Sequence, residues 1–317
     1  MNFPVFDFHC DTSLALLGKS LRECGSLLKN DGHVDLERAK RLPGFAQCFG
    51  CYTSTVGGEA KRISPTELFE REMVSILREV ESNQDLIRLC YNGNQIEDNQ
   101  SKGLMSAVLT IEGPAGFGFD PGLLEDLYNV GFRVTTLCWN ESNPLTGSHK
   151  TGGGLTEQGK AYVREAQRLG MIVDVSHISD EAFWQIMDIT TAPVVASHSN
   201  SRAVHMHSRN LTDEMFLAIC KTNGAAGLNM FTEFVGGSED LDALRSHAEH
   251  YLMLDPDGTH IMLGGDLDGC DTLIAGFEGV QSYPLFARNL LDHGIDSRTV
   301  RNIFWNNAVG VMKRCCI

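Results

Sequence analysis

The segment TEQGKAYVREAQRLGMIVDVSH, residues 156–177, decides the fold class of this chain. Its first part predicts a helix that begins at about Thr156 and ends at Gly170, a typical helix stop. Apolar side chains fall on one face of this helix: Tyr162, Val163, Ala166 and Leu169. The apolar run Met171–His177 follows directly and predicts a buried strand. A helix that leads straight into a buried strand is one unit of an alternating α/β fold.

Similar apolar runs occur eight times along the chain, each bounded by turn residues or helical patterns. They are Val5–His9, Phe45–Cys51, Met105–Glu112, Arg133–Leu137, Met171–His177, Pro193–His198, Ala225–Met230 and Ile261–Asp266. Between them, Ser64-Pro65-Thr66-Glu67 forms a capping box that predicts the start of a helix. Eight strands alternating with helices predict a closed (β/α)₈ barrel of the TIM type, with an open doubly wound sheet as the alternative.

The length of 317 residues fits one such barrel, which needs about 250 residues before insertions. Hydrophobic residues make up 42% and charged residues 21%, which is typical of a globular protein. No Pro-rich linker, composition shift or internal repeat divides the chain. We therefore expect a single catalytic domain over residues 1–317.

The charge balance argues against two classes of partner. With 26 basic and 41 acidic residues the net charge is 26 − 41 = −15, which disfavours nucleic acid and anionic membrane surfaces. No apolar stretch approaches a membrane span, and residues 1–11 lack the pattern of a secretory signal. The ten cysteines have irregular spacing and are expected to be reduced, so the sequence predicts a cytoplasmic protein.

Residues suited to metal binding stand at the ends of five predicted strands. In a parallel barrel these carboxyl ends form the active-site face. The residues are His9, Asp11, Glu112, His177, His198 and Asp266. Imidazole and carboxylate ligands suit Zn²⁺, with Mn²⁺, Co²⁺ and Fe²⁺ as competitors. Six such groups predict two metals that share a carboxylate, most simply Glu112, while one metal with supporting residues is the alternative.

Five ordered motifs resemble those of the membrane (renal-type) dipeptidase family of zinc-dependent hydrolases, over residues 5 to about 312. The motifs are Asp7-Phe8-His9-Cys10-Asp11-Thr12, Ile111-Glu112-Gly113, Gly170-Met171-Ile172-Val173-Asp174-Val175-Ser176-His177, Ser197-His198-Ser199-Asn200 and Gly265-Asp266-Leu267-Asp268-Gly269. The resemblance implies a distorted, amidohydrolase-like (β/α)₈ barrel that holds two zinc ions per chain.

The resemblance also implies roles for individual residues. Glu112 would bridge the two zinc ions, with His9 and Asp11 on one and His177 and His198 on the other. Asp266 would take a proton from the attacking water and pass it to the leaving amine, while a further metal ligand or an orienting group is the alternative for this residue. Arg209, in Ser208-Arg209-Asn210-Leu211, matches the arginine that binds the terminal carboxylate of the dipeptide. A solvated loop arginine is the alternative for Arg209.

One position departs from the characterised mammalian members. Trp139 stands where they carry a histidine thought to steady the oxyanion of the tetrahedral intermediate. An indole donates one hydrogen bond but carries no charge. Trp139 is therefore expected to line the substrate pocket or to belong to the core. His149 lies ten residues further along the chain, in a long loop, and could approach the site.

The patterns and the resemblance together predict a zinc-dependent dipeptidase for small dipeptides. The resemblance further implies tolerance of a D-residue at the C-terminal position. The family often forms homodimers, so the resemblance leaves a homodimer open. Two alternatives remain at this point. One is another binuclear-metal hydrolase that acts on a lactone, cyclic amide or phosphoester. The other is a binding protein that kept the scaffold and lost turnover.

Overall fold

The computed structural model describes residues 3–21 and 25–316. Nine strands are present in this part of the chain: β1 Val5–Cys10, β2 Phe45–Tyr52, β3 Ile87–Leu89, β4 Met105–Glu112, β5 Phe132–Thr136, β6 Ile172–Asp174, β7 Val194–Ala196, β8 Ala225–Leu228 and β9 Ile261–Leu263. Eight of them run in the order β2-β1-β9-β8-β7-β6-β5-β4, all parallel, and β4 pairs with β2. The sheet is closed, so the predicted (β/α)₈ barrel is confirmed and the open sheet is excluded.

The ninth strand, β3, lies outside the barrel and was not expected from the sequence. It pairs with the first part of β4, where Ile87 is opposite Met105, while β5 pairs with β4 from Leu109 onward. β3 has three residues, of which Arg88 is exposed, so it contains no apolar run. Its pairing depends on the neighbouring strand rather than on its own sequence.

Helices cover the outside of the barrel and its loops. They are α1 Thr12–Ala15, α2 Leu36–Ala39, α3 Pro65–Ser82, α4 Gly93–Ser101, α5 Leu124–Val130, α6 Glu157–Leu169, α7 Asp180–Ile189, α8 Asp213–Lys221, α9 Thr232–Val235, α10 Leu241–Leu254, α11 Tyr283–Asp292, α12 Ser297–Arg301 and α13 Asn307–Cys315. Ser64 caps α3 and Thr156 caps α6, and Gly170 ends α6 in the left-handed conformation. Both predicted helices are confirmed. Among the described residues, we find no helix whose length and apolar character would let it cross a bilayer.

The barrel interior is closed at its amino end by the last helical segment. One apolar cluster takes side chains from all eight barrel strands, among them Phe6 and Phe8 of β1, and therefore fills the interior. The same cluster includes Trp305 and Met312, which lie in the π turn between α12 and α13 and in α13 itself. The Trp305 ring lies 6.1 Å from that of Phe6. The opposite, carboxyl end is left for polar side chains.

Candidate metal centre and active site

The six residues singled out at the strand ends meet at the carboxyl end of the barrel. His9 belongs to β1 and Glu112 is the last residue of β4, whereas the others lie in the first turns after their strands. All six are buried, with no more than 9% of any residue exposed: His9, Asp11, Glu112, His177, His198 and Asp266. Burial of so many titratable groups is costly unless they are paired or bind metal.

Glu112 connects two halves of this cluster. Its Oε1 lies 2.9 Å from His177 Nε2, and its Oε2 lies 3.4 Å from His9 Nε2. His9 Nε2 is also 3.5 Å from Asp11 Oδ2 and 3.9 Å from Asp266 Oδ1. The ligand atoms of two overlapping sets lie within 4.8 Å of one another: His9, Glu112 and His198, and His9, Asp11 and Asp266.

The hydrogen bonds of His177 and His198 orient their Nε2 lone pairs toward each other. His177 Nδ1 donates to Asn140 Oδ1 at 3.0 Å, because an amide oxygen can only accept. The Ser197 hydroxyl donates to the Asp174 carboxylate and so accepts from His198 Nδ1 at 2.6 Å. The two Nε2 atoms lie 2.9 Å apart. Two lone pairs at this separation repel each other unless a cation lies beside them.

Burial keeps both of these imidazoles neutral, the form in which histidine binds metals. It lowers the pKa of His177 well below its ordinary value, and the charge of Arg209 acts in the same direction. Burial also lowers the pKa of His198 well below its ordinary value, with a further contribution from His9. Both nitrogens therefore remain available as ligands at neutral pH.

The other half of the cluster carries excess negative charge and unpartnered atoms. His9 Nε2 and Asp11 Oδ1 are buried and have no hydrogen-bond partner. Burial, together with the neighbouring Asp11 carboxylate, raises the pKa of Glu112 to about 8. Burial alone would lower the pKa of His9, but the Glu112 and Asp11 carboxylates outweigh it and raise that pKa well above its ordinary value. A divalent cation would neutralise this charge and partner both orphaned atoms, so the residues fit a metal site.

Two aspartates that the sequence analysis did not assign hold the site from beneath. Asp7 accepts from the backbone N–H of His9 at 3.1 Å and of Gly265 at 2.9 Å, which joins β1 to the turn after β9. Asp174 accepts from the N–H groups of Ser176 and Ser197, both at 2.9 Å, and joins the turns after β6 and β7. The signal for both was an aspartate two or three residues before a histidine: Asp7 before His9 and Asp174 before His177.

The turns that carry the site have unusual backbone conformations. His177, Asp266 and Asp268 have φ values of 70°, 58° and 65°, in the left-handed region that side-chain-bearing residues seldom adopt. At Gly269 an added Cβ would lie 1.9 Å from Asp11 Oδ2, so only glycine allows this close approach. The strain is held in place by the hydrogen bonds beneath the turns.

A cavity of about 380 Å³ opens above the cluster and is large enough for a small-molecule substrate. The residues that line it are Asp11, Leu14, Tyr52, Glu59, Glu112, Trp139, Asn140, His149, Lys150, His177, His207, Phe231, Glu233, Phe234, Asp266, Asp268, Gly269, Cys270 and Asp271. Asp266 faces it with its Oδ2 held by Asn229 Nδ2 at 3.0 Å. Burial raises the pKa of Asp266, although the charge of His9 opposes this.

Trp139 lies in the wall of this cavity and Arg209 lies behind it. The Trp139 ring packs edge-on against Tyr52 at 5.1 Å and lies 6.4 Å from the His177 ring. Arg209 is 3% exposed, and its guanidinium carbon lies 5.3 Å from the centre of the Phe234 ring. Its Nε has no hydrogen-bond partner, and within residues 3–21 and 25–316 it forms no ion pair with a carboxylate.

Hydrogen bonds that were not predicted from the sequence connect His177 with the long loop after β5. Asn140 Oδ1 also accepts from His149 Nε2 at 2.8 Å, and His149 Nδ1 accepts from Ser208 at 2.8 Å. His207, which the sequence did not mark as a site residue, lies in the cavity wall. It faces inward because the loop after β7 folds back along the loop after β5, with the His149 and His207 rings 6.1 Å apart. Such contacts between loops have no local pattern in the sequence.

Comparison with known proteins gives a consistent result. A family model for membrane dipeptidases, peptidase family M19, matches residues 1–315. An uncharacterized dipeptidase of Schizosaccharomyces pombe is 32% identical over 66% of this chain, which spans only 53% of that protein. The dipeptidase verJ of Clonostachys rogersoniana is 29% identical over 98% of this chain and 83% of its own length. A metallopeptidase of Rhodobacter sphaeroides, liganded with a phosphinate mimic of the dipeptide L-Ala-D-Ala, is a structural neighbour with 25% identity and a TM-score of 0.89, covering 99% of this chain and 100% of that one.

Proposed function

The chain belongs to the membrane dipeptidase family of metallopeptidases, and we propose that it hydrolyses the peptide bond of small dipeptides with two bound zinc ions. The observation that carries the proposal is the pair of lone pairs on His177 and His198 that face each other beside Glu112. Neutral imidazoles and carboxylates in this arrangement suit Zn²⁺.

The five proposed ligands divide between two metals. His9 and Asp11 would hold one, His177 and His198 the other, and Glu112 has one oxygen directed toward each half. When bound, two metals of this kind activate water for attack at neutral pH and polarise the carbonyl of the substrate. The hydrogen bonds from Asn140 and Ser197 support this assignment, because they keep the imidazole nitrogens directed inward.

Three further residues have proposed roles in the reaction. Asp266 faces the cavity and has a raised pKa, so it suits a group that takes a proton from the attacking water and returns it to the leaving amine. Arg209 has no carboxylate partner of its own, and a substrate carboxylate would relieve the cost of its burial. Trp139 would pack on the substrate from the cavity wall.

Four broader features belong to the same proposal. The ligand of the Rhodobacter sphaeroides neighbour supports tolerance of a C-terminal D-residue. The nine described cysteines are free, which supports a cytoplasmic location, while Cys24 lies outside the described residues. A single catalytic domain over residues 1–317 is supported by the closure of the barrel from β1 to β9. A homodimer has the support of the family resemblance alone.

The test combines metal analysis with substrate hydrolysis. The purified protein is saturated with Zn²⁺, dialysed, and analysed for metal per chain, and then assayed against a panel of L,L- and L,D-dipeptides. We expect about two metals per chain, loss of hydrolysis in chelator and recovery with Zn²⁺. One metal or none after saturation contradicts the binuclear site. Hydrolysis of a lactone, cyclic amide or phosphoester panel without dipeptide hydrolysis, or no turnover at all, contradicts the dipeptidase proposal.

A further inference from the structure

The wall of the active-site cavity is divided by charge. The loops after β2 and β9 contribute carboxylates beyond the proposed metal ligands, among them Glu59 and Asp271. The loops after β5 and β7 contribute His149, Lys150 and His207, with Arg209 behind them. Between the two sides, Glu233 of the loop after β8 lies 3.5 Å from His207 Nε2 and leaves Lys150 and Arg209 unpaired among the described residues. The acidic and basic loops lie on opposite sides of the barrel, since β9 and β5 are separated by β8, β7 and β6. A dipeptide is a zwitterion and would align with its amine on the acidic side and its carboxylate on the basic side.

The basic side contains two separate cationic side chains. Arg209 is buried and fixed behind Phe234. Lys150 is exposed at the rim and is the single Lys or Arg among the residues that line the cavity. In the part of the chain that the structure describes, no carboxylate lies within ion-pair distance of its ammonium group. The ring of the adjacent His149 lies 6.1 Å from that of His177, so Lys150 lies close to the proposed metal centre.

Lys150 is held in position by its backbone and its neighbours. Its N–H donates to Ser148 Oγ at 3.2 Å, and the Ser148 hydroxyl donates to the carbonyl of Asn140 at 2.9 Å. The adjacent His149 is bonded through both ring nitrogens, to Asn140 and to Ser208. Lys150 thus lines the cavity from an anchored loop rather than from a free one.

We propose that Lys150 selects dipeptides whose C-terminal residue carries an acidic side chain. The inference rests on the proposed dipeptidase function, in which Arg209 binds the terminal carboxylate. A simple dipeptide has one carboxylate, so the second cation on the same side has no partner unless the substrate brings another. An aspartate or glutamate in the C-terminal position supplies it, and the ion pair forms at a partly exposed site where it adds specificity more than affinity.

The test compares dipeptides whose C-terminal side chains differ in charge, with Ala-Glu and Ala-Gln as the isosteric pair. We would measure kcat/KM for Ala-Glu, Ala-Gln, Ala-Lys and Ala-Ala with the zinc-loaded protein. We expect the kcat/KM for Ala-Glu to exceed that for Ala-Gln by about two- to fivefold at low salt, and this ratio should be smaller at high salt. Lys150→Gln should bring the ratio to about one, and Lys150→Glu should favour Ala-Lys. The control is Lys221→Gln, which should keep the wild-type ratio. Lys221 is an exposed lysine at the end of α8, just before β8, and so lies toward the amino end of the barrel and away from the cavity.

Three results would contradict the proposal in different ways. A wild-type ratio near one shows that the enzyme does not read the side-chain charge. An equal loss for all four substrates in Lys150→Gln assigns Lys150 to the terminal carboxylate that they share. The absence of hydrolysis with every dipeptide contradicts the dipeptidase function itself, which is a separate failure.

Discussion

The two ends of the barrel are built on opposite physical principles. At the amino end, Phe6 and Phe8 pack with Trp305 and Met312 in an apolar cluster that fills the interior. At the carboxyl end, the same strands place buried histidines and carboxylates that repel one another or lack partners. Apolar burial stabilises a fold, whereas uncompensated buried charge destabilises it. The amino end therefore stabilises the fold, and this stabilisation offsets the cost of the buried charges at the carboxyl end.

The largest effect should come from Asp266→Asn at the carboxyl end. The amide keeps the shape of the side chain but accepts no proton, so kcat should fall about 10²–10⁴-fold. Metal content, measured by elemental analysis, should stay near the wild-type value. Asp266 Oδ1 lies 3.9 Å from His9 Nε2, so loss of metal in proportion to activity would make it a ligand instead.

At the amino end, Trp305→Ala should act on stability alone. Trp305 is 5% exposed and packs inside the barrel, so its truncation should lower the free energy of unfolding by about 3–5 kcal/mol in urea titrations. The kcat of the folded, zinc-loaded variant should equal that of the wild type. A fall in the kcat of this variant would show that packing at the amino end affects catalysis at the carboxyl end.

Arg209→Ala should raise KM for dipeptides by about 10–100-fold, because a hydrogen bond to a charged group is lost. A dipeptide amide lacks the negative charge, so the same substitution should change its KM little. Steady-state kinetics with both substrates provide the check. Equal losses on acid and amide would instead assign Arg209 to the structure of the loop after β7.

Metal removal should make the stability of the carboxyl end depend on pH. Without metal, the pKa of Glu112 is raised to about 8 by burial and Asp11. The contribution of Glu112 to the free energy of unfolding is then fully present below its unfolded pKa and is lost as pH rises toward 8. The free energy of unfolding of the chelated protein should therefore fall as pH rises from about 5 to about 8. Urea titrations at each pH should show a smaller fall in the free energy of unfolding for chelated Glu112→Gln than for chelated wild type. An identical dependence on pH in the two proteins would show that Glu112 is not responsible.

The smallest effect should come from Trp139→Phe. The substitution removes the indole N–H but keeps most of the aromatic surface against Tyr52. We expect a loss in kcat far below the roughly 10²–10³-fold that follows deletion of an oxyanion donor. Trp139→Ala should instead raise KM by opening the cavity wall. A hundredfold loss of kcat in Trp139→Phe at constant KM would show that the N–H stabilises the oxyanion.

The two ends also differ in how far the sequence predicts them. Strand runs and caps are local patterns, so the eight barrel strands and the helices after Ser64 and Thr156 could be identified from the sequence. The strand ends were set too late in β6, β7, β8 and β9, because the residues after them are as buried as the strands although they are mostly polar. β3 was missed since a three-residue strand depends on its neighbour.

For the site, residue type and strand position were enough to select the six clustered side chains. The supports were not accessible in the same way, because the contact between Asn140 and His177 joins residues 37 positions apart. The contact between His149 and Ser208 joins residues 59 positions apart. Such pairs follow from how two loops pack, and a single sequence has no periodic pattern for loop packing. The location of Arg209 behind Phe234 belongs to the same class.

The closure of the barrel by its last segment sets the order in which the chain can fold. β1 pairs with β9, and the π turn and α13 contact β1, β8 and β9 from below. During synthesis the strands up to β8 leave the ribosome with an open edge and an unfilled interior, since β9 and α13 come last. The barrel core can therefore be completed only after the chain has been synthesised to about residue 312, where Met312 enters the apolar cluster.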